Sequence, residues 1–375
     1  MALVYTDLTI RHFRLFDDIS VKFAPVTIVS GKNNAGKTAL LEALFLHASG
    51  PRAGFTSLVT LNLSRAAAPV TMSQQEGRSA WDSLFANYDI SRPVEFTAVL
   101  DDNLIQVELR PTSSSLISPG TVGVSGAGSS GEGYAQSLEV HVATPAGSKE
   151  YTQTVTQQIY SQPNSGIPLG IGVQFGGISF QLNPNAGPIV NANFVSGRTR
   201  STPQELAQRY SVLRQLDRHR DFVSALKVID PRIADVEVLV KDGQSSLNLS
   251  LDGMLMPLSL FGEGIVAFAD IMSLIYSTNT TVLLIDEIEN GIHYSVMPDI
   301  WRHIRYATLA TGTQVIATTH SRECLAAAHA AFTDQASELL RLLRLSRRPG
   351  QEGVFVTSYS AREVENALEL NLDIR

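Results

Sequence analysis

Eight consecutive residues near the amino terminus have the composition of a phosphate-binding loop. Residues 31–38 read Gly-Lys-Asn-Asn-Ala-Gly-Lys-Thr, which fits the pattern GxxxxGK[ST]. Glycines let the backbone N–H groups turn inward around phosphate oxygens, and the start of the next helix adds a favourable partial positive charge. In this pattern, Lys37 would reach the β- and γ-phosphates of a bound nucleoside triphosphate, and Thr38 would hold a Mg²⁺ ion. The predicted nucleotide-binding residues are Gly31, Asn33, Asn34, Ala35, Gly36, Lys37, Thr38 and Ala39.

Two acidic residues follow an apolar run in the last third of the chain. Residues 281–285 are Thr-Val-Leu-Leu-Ile, and Asp286 and Glu287 come directly after them. Such a run is typical of a buried parallel strand, which would deliver both carboxylates to one edge of a sheet. Opposite a phosphate loop, Asp286 would hold Mg²⁺ and Glu287 would polarise the attacking water. Considered alone, an Asp-Glu pair at a strand end also fits a structural role.

The next apolar run ends in a histidine. Residues 314–319 are Gln-Val-Ile-Ala-Thr-Thr, and His320 follows them. At the end of a strand beside the acidic pair, His320 could contact the γ-phosphate or orient the water. We therefore predict Lys37, Glu287 and His320 as catalytic residues. The alternative for His320 is a hydrogen-bonded structural histidine.

A third, glycine-rich segment lies about twenty residues before the acidic pair. Residues 258–264 read Leu-Ser-Leu-Phe-Gly-Glu-Gly, and an apolar helical pattern begins at Ile265. Glycines at the start of a helix can form a second anion site. An ordinary helix-opening turn is the alternative.

The elements around these motifs predict an α/β fold. Residues 26–29, Val-Thr-Ile-Val, predict a buried strand before the phosphate loop, and residues 39–46 predict a helix after it. Thr202-Pro203-Gln204-Glu205 is a capping box with proline at the first helical position. Asp242-Gly243 between two apolar runs predicts a β-hairpin.

Composition divides the chain into three parts. Residues 1–89 and 191–375 carry the motifs and are predicted to form one core. Residues 90–190 contain alternating strand patterns and are predicted to be a β-rich insertion. Within it, residues 111–134 are rich in Ser, Gly, Thr and Pro, which favours a flexible loop.

Overall composition excludes several classes of protein. The chain has 375 residues, a net charge of −7 and one cysteine, Cys324, so neither an internal disulfide nor a cysteine-based zinc site is expected. No leader is evident, and the longest apolar run, 265–276, is interrupted by Asp270. We expect a soluble cytoplasmic protein without membrane contact.

One segment, residues 198–220, is a basic patch although the chain as a whole has a negative net charge. Six arginines fall within 23 residues that contain only the acids Glu205 and Asp217. A solvated helix face is the leading interpretation. DNA binding, a protein partner and a contact within a dimer are the alternatives. The patch consists of Arg198, Arg200, Arg209, Arg214, Arg218 and Arg220.

The order of the motifs resembles the ABC-type ATPases, including SMC and RecF proteins. More closely, it resembles the OLD (overcoming lysogenization defect) family and its stand-alone AAA-type ATPase relatives. The resemblance implies an ABC/SMC-like P-loop NTPase core with a mixed β-sheet flanked by helices, whose head is formed by 1–89 and 191–375. The matching stretches are Ile10 to Glu42, Trp81 to Phe85, Pro257 to Gly264, Leu283 to His293, Gln314 to Glu323 and Tyr359 to Arg375.

In that family two heads sandwich ATP. The resemblance implies that Ser259, Gly262 and Gly264 of one subunit, with Glu263 between them, approach the γ-phosphate bound by Lys37 of the other. It also places Glu289 to His293 at the dimer seam. Leu260 stands where the usual signature has a phosphate-contacting serine, and no basic residue occurs at 265–268. The weak candidates for the switch glutamine are Gln74, Gln75 and Gln106.

These observations predict a Mg²⁺-dependent ATPase that forms a homodimer, or a higher oligomer, around ATP. The resemblance suggests the sensor or regulatory ATPase of a bacterial anti-phage or DNA-surveillance system. Neither the long coiled coils of SMC proteins nor the TOPRIM nuclease domain of OLD proteins is evident, so we expect the effector nuclease to be a separate polypeptide. The alternatives are a RecF-like DNA-repair ATPase and a nucleotide-bound scaffold with little hydrolysis.

Overall fold

The computed structural model describes the greater part of the chain. The described residues are 4–56, 81–100, 103–113, 133–143, 151–160, 178–180, 187–197, 200–277, 279–332, 334–348, 350–351, 353–360, 363–364 and 366–367. The strands, in chain order, are β1 (Asp7–Phe13), β2 (Phe16–Lys22), β3 (Val26–Ser30), β4 (Val94–Leu100), β5 (Asn103–Ser113), β6 (Gly133–Ala143), β7 (Tyr151–Tyr160), β8 (Ile178–Phe180), β9 (Ala192–Val195), β10 (Ile233–Lys241), β11 (Gln244–Leu251), β12 (Met254–Pro257), β13 (Val282–Ile285), β14 (Gln314–Thr318), β15 (Leu340–Ser346) and β16 (Phe355–Tyr359). The helices are α1 (Lys37–Ser49), α2 (Ala53–Thr56), α3 (Pro203–Gln215), α4 (His219–Leu226), α5 (Glu263–Tyr276), α6 (Met297–Thr311) and α7 (Arg322–Ala331).

The chain forms two compact units. The first contains Met1–Asp7, Val21–Leu41 and Asn191–Arg375, and the second contains Leu8–Ser20 and Glu42–Val190. The second unit is therefore larger than residues 90–190, because strand β1 pairs with strand β4. The interpretation of 90–190 as an insertion into an ATPase head stays a prediction.

A six-stranded sheet organises the first unit. Its strand order is β16-β15-β3-β14-β13-β9. The five strands from β15 to β9 run parallel, and β16 pairs antiparallel with β15 at one edge. The predicted α/β class with a mixed sheet is confirmed. The phosphate-loop strand β3 and the acidic strand β13 both neighbour β14, the strand that leads to His320.

The three central strands of this sheet, β3, β14 and β13, are buried along their whole length. This burial is expected for parallel strands that are covered on both faces. Helices α3 to α7 supply the packing residues of one hydrophobic core. At its centre lie the fully buried side chains of Tyr210, Phe268 and Trp301.

Two tight hairpins build a smaller three-stranded antiparallel sheet, in the order β10-β11-β12. The predicted turn at Asp242-Gly243 has positive φ angles of 51° and 75°, which is the geometry of a type I′ turn. Asp252 and Gly253 repeat it, with φ angles of 49° and 80°. The second Asp-Gly was not interpreted as a turn in the sequence, so strand β12 was missed.

The capping box before helix α3 is confirmed. The Thr202 side chain accepts a hydrogen bond from the Glu205 N–H, and the Glu205 carboxylate accepts one from the Thr202 N–H at 2.7 Å. The capping box thus satisfies two backbone N–H groups at the helix start.

The second unit contains a seven-stranded sheet in the order β2-β1-β4-β5-β6-β7-β8. Strand β4 alternates buried and half-buried residues, which is the period-two pattern of a sheet with one covered face. Arg14 and Glu42 form a buried ion pair in this unit, with Nε and Oε2 2.8 Å apart. The predicted flexible loop 111–134 begins and ends inside strands β5 and β6. Its central residues, 114–132, lie outside the described part of the chain.

Helix α5 carries one charge inside an otherwise apolar core. Twelve of its residues are buried, Asp270 among them. The Asp270 carboxylate pairs with the Arg209 guanidinium, with Nη2 and Oδ1 2.6 Å apart, and also accepts the Ser201 N–H at 3.1 Å. Arg209 Nε donates to Ser273 Oγ at 3.0 Å. A buried carboxylate is tolerable here because a guanidinium and a backbone N–H satisfy it.

We expect Asp270→Ala to lower the free energy of unfolding by about 3–5 kcal/mol, because Arg209 is only 21% exposed and would lose its counter-charge. Chemical denaturation followed by circular dichroism measures this loss. Asp299→Ala is the matched control, since it breaks an exposed pair with Arg302 and should cost no more than about 1 kcal/mol. The apolar pair Arg209→Met/Asp270→Leu should recover most of the loss. If Asp270→Ala and Asp299→Ala lowered the free energy of unfolding equally, the buried pair would have no special role in stability.

Candidate functional site

The phosphate loop joins strand β3 to helix α1 through backbone angles that favour glycine. Gly31 has a φ of 146°, Asn34 of 63° and Gly36 of 101°. A Cβ atom on Gly31 would lie 2.4 Å from the Leu345 carbonyl oxygen on strand β15. The first glycine of the pattern is therefore required by sheet packing as well as by the turn itself.

Lys37 lies buried beneath this loop. Its Nζ donates hydrogen bonds to the carbonyl oxygens of Gly31 at 2.7 Å and Lys32 at 3.1 Å. Burial lowers the pKa of Lys37 below its ordinary value, and the negative charges of Asp286, Glu287 and Glu289 oppose that shift. The ammonium group thus sits between the loop and a set of carboxylates, where an anionic ligand on the loop would meet it.

The Asp286 carboxylate is held by two threonine hydroxyls. Thr38 Oγ1, at the start of helix α1, donates to Asp286 Oδ2 at 2.9 Å. Thr318 Oγ1, at the end of strand β14, donates to Asp286 Oδ1 at 2.6 Å. The structure therefore brings together the two residues predicted to bind the metal, Thr38 and Asp286.

Their chemistry fits Mg²⁺. A hydroxyl and a carboxylate converge within hydrogen-bonding distance, and Mg²⁺ sites in nucleotide-binding proteins use one or two such oxygens with substrate phosphates. Among the residues that the structure describes, no group of three or more His, Cys, Asp or Glu side chains converges as a metal site.

Glu287 follows Asp286 in a strained backbone conformation. Its φ is 54°, a left-handed value that is uncommon for a residue with a long side chain. The Glu287 N–H donates to Thr318 Oγ1 at 2.8 Å, and the Ile288 N–H donates to the Thr318 carbonyl oxygen at 3.1 Å. These bonds hold the turn, so the exposed Glu287 carboxylate projects from a fixed point beside Asp286. Strain of this kind is often found at functional sites.

His320 is positioned by a second acid of the same turn. The His320 N–H donates to Glu289 Oε1 at 2.9 Å, and His320 Nδ1 lies 3.0 Å from that oxygen. The resemblance had placed Glu289 at a dimer seam, and this contact with His320 was not expected. The structure therefore groups His320 with the acidic turn that follows strand β13.

The glycine-rich segment 258–264 adjoins the same turn. Residues Leu258–Leu260 form one turn of 3₁₀-helix, and helix α5 begins at Glu263 with Gly262 as its N-cap. A Cβ on Gly264 would lie 2.3 Å from the Gly291 carbonyl oxygen, so only glycine fits there. Among the described residues, no hydrogen bond or ion pair joins this segment to the phosphate loop of its own chain. The exposed residues of the segment are Ser259, Leu260, Gly262 and Glu263.

Three arginines of the predicted basic patch have partners within the first unit. Arg209 pairs with Asp270, and Arg218 donates to the Tyr276 carbonyl oxygen at 3.0 Å. Arg200 lies 4.0 Å from the Glu263 carboxylate. Arg214 and Arg220 are exposed, and Arg198 lies outside the described residues. Much of the patch is therefore part of the internal structure of this unit.

Two family models match parts of this chain. A family model described as "AAA ATPase domain" matches residues 6–107, which contain the phosphate loop. Another, described as "AAA domain, putative AbiEii toxin, Type IV TA system", matches residues 185–326, which contain the acidic turn and His320. An "ATP/GTP phosphatase" of Helicobacter pylori (strain ATCC 700392 / 26695) is 23% identical over 336 residues, 84% of each chain. The chain is a P-loop ATPase.

Solved structures similar to this chain include SMC head domains. The SmcHead bound to the C-winged helix domain of ScpA has 12% identity and a TM-score of 0.49, covering 96% of this chain and 98% of that chain. The SMC head domain from Thermotoga maritima has 12% identity and a TM-score of 0.41, covering 96% and 100%. None of the described helices combines the length and the hydropathy that a membrane span requires.

Sequence reasoning missed two residues that position the site. Thr318 was interpreted only as part of a strand, although its hydroxyl binds both Asp286 and the Glu287 N–H. Glu289 was assigned a role by resemblance alone. The available signal was a polar residue at the end of each apolar run, since parallel strands bring such residues to one edge of the sheet. The switch glutamine candidates Gln74 and Gln75 lie outside the described residues.

We expect Thr318→Val to lower kcat for ATP hydrolysis by about tenfold to a hundredfold, because each hydrogen bond to a charged group contributes about 1.5–3 kcal/mol. Valine keeps the shape of the buried side chain and removes the hydroxyl that orients Asp286 and Glu287. Steady-state phosphate release measures kcat and KM.

Thr313→Val is the matched control for this prediction. The Thr313 hydroxyl is also buried, but it donates to the carbonyl oxygens of Ile275 and Thr280 just before strand β14 begins. This variant should lose stability and keep the kcat of the parent. If Thr318→Val had the kcat of the parent, the Thr318 hydroxyl would have no role in hydrolysis.

Proposed function

We propose that this ATPase is a nucleotide-driven switch that closes a head-to-head dimer on ATP and reopens it on hydrolysis. In the closed state, the phosphate loop of one subunit and the segment 258–264 of the other would share one ATP. Each chain would thus supply half of each of two sites.

The exposed position of segment 258–264 carries this proposal. Its Ser259 hydroxyl, the open side of Gly262 and the first N–H groups of helix α5 form an anion-binding end of a helix. Apart from its chain neighbours, no described residue has an atom within 4 Å of the position that a Cβ on Gly262 would take, and Leu260 is 69% exposed. A phosphate-binding helix end that is not bonded to the loop of its own chain is well suited to a phosphate held by another chain.

Hydrolysis is assigned to the residues around Asp286. Lys37 and the N–H groups of the loop bind the β- and γ-phosphates, and Glu287 accepts a proton from the attacking water. The water oxygen bonds to the γ-phosphorus while the bond from that phosphorus to the bridging oxygen breaks, and ADP leaves with that oxygen. His320 contacts the γ-phosphate. A Mg²⁺ ion held by Thr38 and Asp286 would neutralise charge on the β- and γ-oxygens.

The biological role proposed is that of a sensor or regulatory ATPase in a bacterial anti-phage or DNA-surveillance system. The OLD-like order of motifs supports this role, as does the match to a family described in terms of a toxin and a type IV TA system. The effector, such as a nuclease, would be a separate cytoplasmic protein that responds to the closed dimer.

A nucleotide-bound scaffold with little turnover is the second candidate, and Leu260 is the observation that favours it. An apolar side chain stands where a hydroxyl could contact the γ-phosphate, so less charge is stabilised in the transition state. The rate of phosphate release separates the two candidates. A closed dimer that persists over many minutes in ATP and Mg²⁺ would favour the scaffold.

Lys37→Ala is expected to abolish nucleotide binding, because it removes the buried ammonium group that meets the phosphates. Titration with a fluorescent ATP analogue measures the affinity. Lys241→Ala is the control, since it removes an exposed lysine at the end of strand β10 and should bind ATP like the parent. Unchanged affinity in Lys37→Ala would refute the assignment of the loop.

Glu287→Gln is expected to bind ATP, to hydrolyse it at least about a hundredfold more slowly and to remain dimeric in ATP. Glutamine keeps the shape of the side chain and cannot accept the proton of the water. Sedimentation velocity with ATP, with ADP and without nucleotide measures the dimer. A variant that is monomeric with ATP at every protein concentration would argue against the switch.

A further inference from the structure

Glu289 is the only carboxylate among the described residues that touches the His320 imidazole. Its Oε1 is shared by two groups of His320, the backbone N–H at 2.9 Å and the ring Nδ1 at 3.0 Å. One oxygen thus fixes both the backbone and the ring of the same residue. This arrangement limits the rotation of the imidazole about its side-chain bonds.

The chemistry of this contact determines where the imidazole proton lies. An ionised carboxylate only accepts hydrogen bonds, so the nitrogen beside it carries the hydrogen. With Nδ1 protonated and turned to Glu289, Nε2 is the nitrogen left for a ligand or a water. A carboxylate in the same relation to histidine orients the ring and stabilises its charged form in hydrolases of the Ser-His-Asp type.

The side chains of Glu289 and His320 differ in burial. The Glu289 side chain is 14% exposed, whereas that of His320 is 54% exposed. Glu289 therefore lies below the surface as a support, and the ring of His320 reaches the surface. The second carboxylate oxygen, Oε2, is buried without a hydrogen-bond partner among the described residues, so Oε1 provides the polar contacts that hold this side chain.

Backbone hydrogen bonds close the turn that carries Glu289. The Ile292 N–H donates to the Glu289 carbonyl oxygen at 3.0 Å, and the Asn290 N–H donates to the Glu287 carbonyl oxygen at 2.9 Å. Ile288, between the two acids, is buried. Because one short turn holds both Glu287 and Glu289, the position of His320 is set relative to that of Glu287.

We propose that Glu289 is a positioning residue for hydrolysis: it keeps the His320 proton on Nδ1 and aims Nε2 at the γ-phosphate bound by Lys37. This inference rests on the role given to His320 in the proposed function. Glu289 touches neither nucleotide nor water in this role and acts only through His320.

A double-mutant cycle on kcat tests this dependence. Glu289→Ala should lower kcat at least about tenfold, the usual effect of losing a partner that orients a reacting side chain, and should change KM for ATP less than about twofold. His320→Ala should lower kcat at least as much. The double variant should be no slower than His320→Ala, because Glu289 has nothing left to position.

Two further variants separate positioning from folding. Glu289→Gln keeps an oxygen that can accept from Nδ1 and should restore part of the lost kcat. Glu237→Ala removes a carboxylate from an exposed position on strand β10 and should match the parent in kcat. Thermal unfolding of each variant shows whether loss of stability accompanies loss of activity.

A spectroscopic measurement tests the hydrogen bond without nucleotide. In protein labelled with ¹⁵N-histidine, the His320 signals, assigned by their loss in His320→Ala, should report a proton on Nδ1. Glu289→Ala should shift the population toward a proton on Nε2, and Glu237→Ala should not. This measurement does not require dimerisation. It therefore tests the hydrogen bond between Glu289 and His320 separately from the proposed dimer switch.

Three results would overturn the proposal. The first is a Glu289→Ala protein with the kcat of the parent. The second is a double variant whose loss is the product of the two single losses, which would give Glu289 a separate role. The third is an unchanged His320 proton position in Glu289→Ala.

Discussion

The Asp286 carboxylate is the point on which the rest of the catalytic edge depends. Its two oxygens accept hydroxyl hydrogens from Thr38 and Thr318, and its own N–H donates to the Val195 carbonyl oxygen at 2.8 Å. Helix α1 and the ends of strands β9, β13 and β14 are thereby joined around one anion. Because the strands are parallel, their carboxyl ends meet at one edge, and Asp286 links three of these ends by hydrogen bonds.

The hydrogen bonds around Asp286 also fix the short turn that carries Glu287 and Glu289. Thr318 receives the Glu287 N–H on the same oxygen with which it donates to Asp286. The cost of a left-handed glutamate, about 1–3 kcal/mol, is offset by this bond and by the burial of Ile288. Glu289 then extends the network to His320. Within this turn the Glu289 carboxylate contacts His320, whereas the Glu287 carboxylate is exposed.

The features that sequence predicted best are those whose geometry is local. The phosphate loop, the capping box at Thr202 and the turn at Asp242 each contain their whole pattern within eight residues or fewer. A buried apolar strand that ends in acids is equally local, so Asp286 and Glu287 stood out. The class of the fold followed from the alternation of such strands with helices.

Partners that are distant in the chain had no local pattern to reveal them. The Gln314 amide bonds to Tyr5 and Ala24, some 300 residues away, and no spacing in the sequence records that. The Arg209–Asp270 and His320–Glu289 pairs are of the same kind. For this reason the stretch of arginines suggested a solvated helix face, although Arg209 forms a buried pair with Asp270.

The close approach of Gly264 to Gly291 couples the start of helix α5 mechanically to the acidic turn after strand β13. With a would-be Cβ only 2.3 Å from the facing carbonyl oxygen, the start of helix α5 cannot tilt without displacing the acidic turn. In a shared-site dimer, these two segments would serve opposite active sites. In such a dimer, loss of the phosphate at one site would displace the backbone at the other. Hydrolysis at the two sites would then be coupled rather than independent.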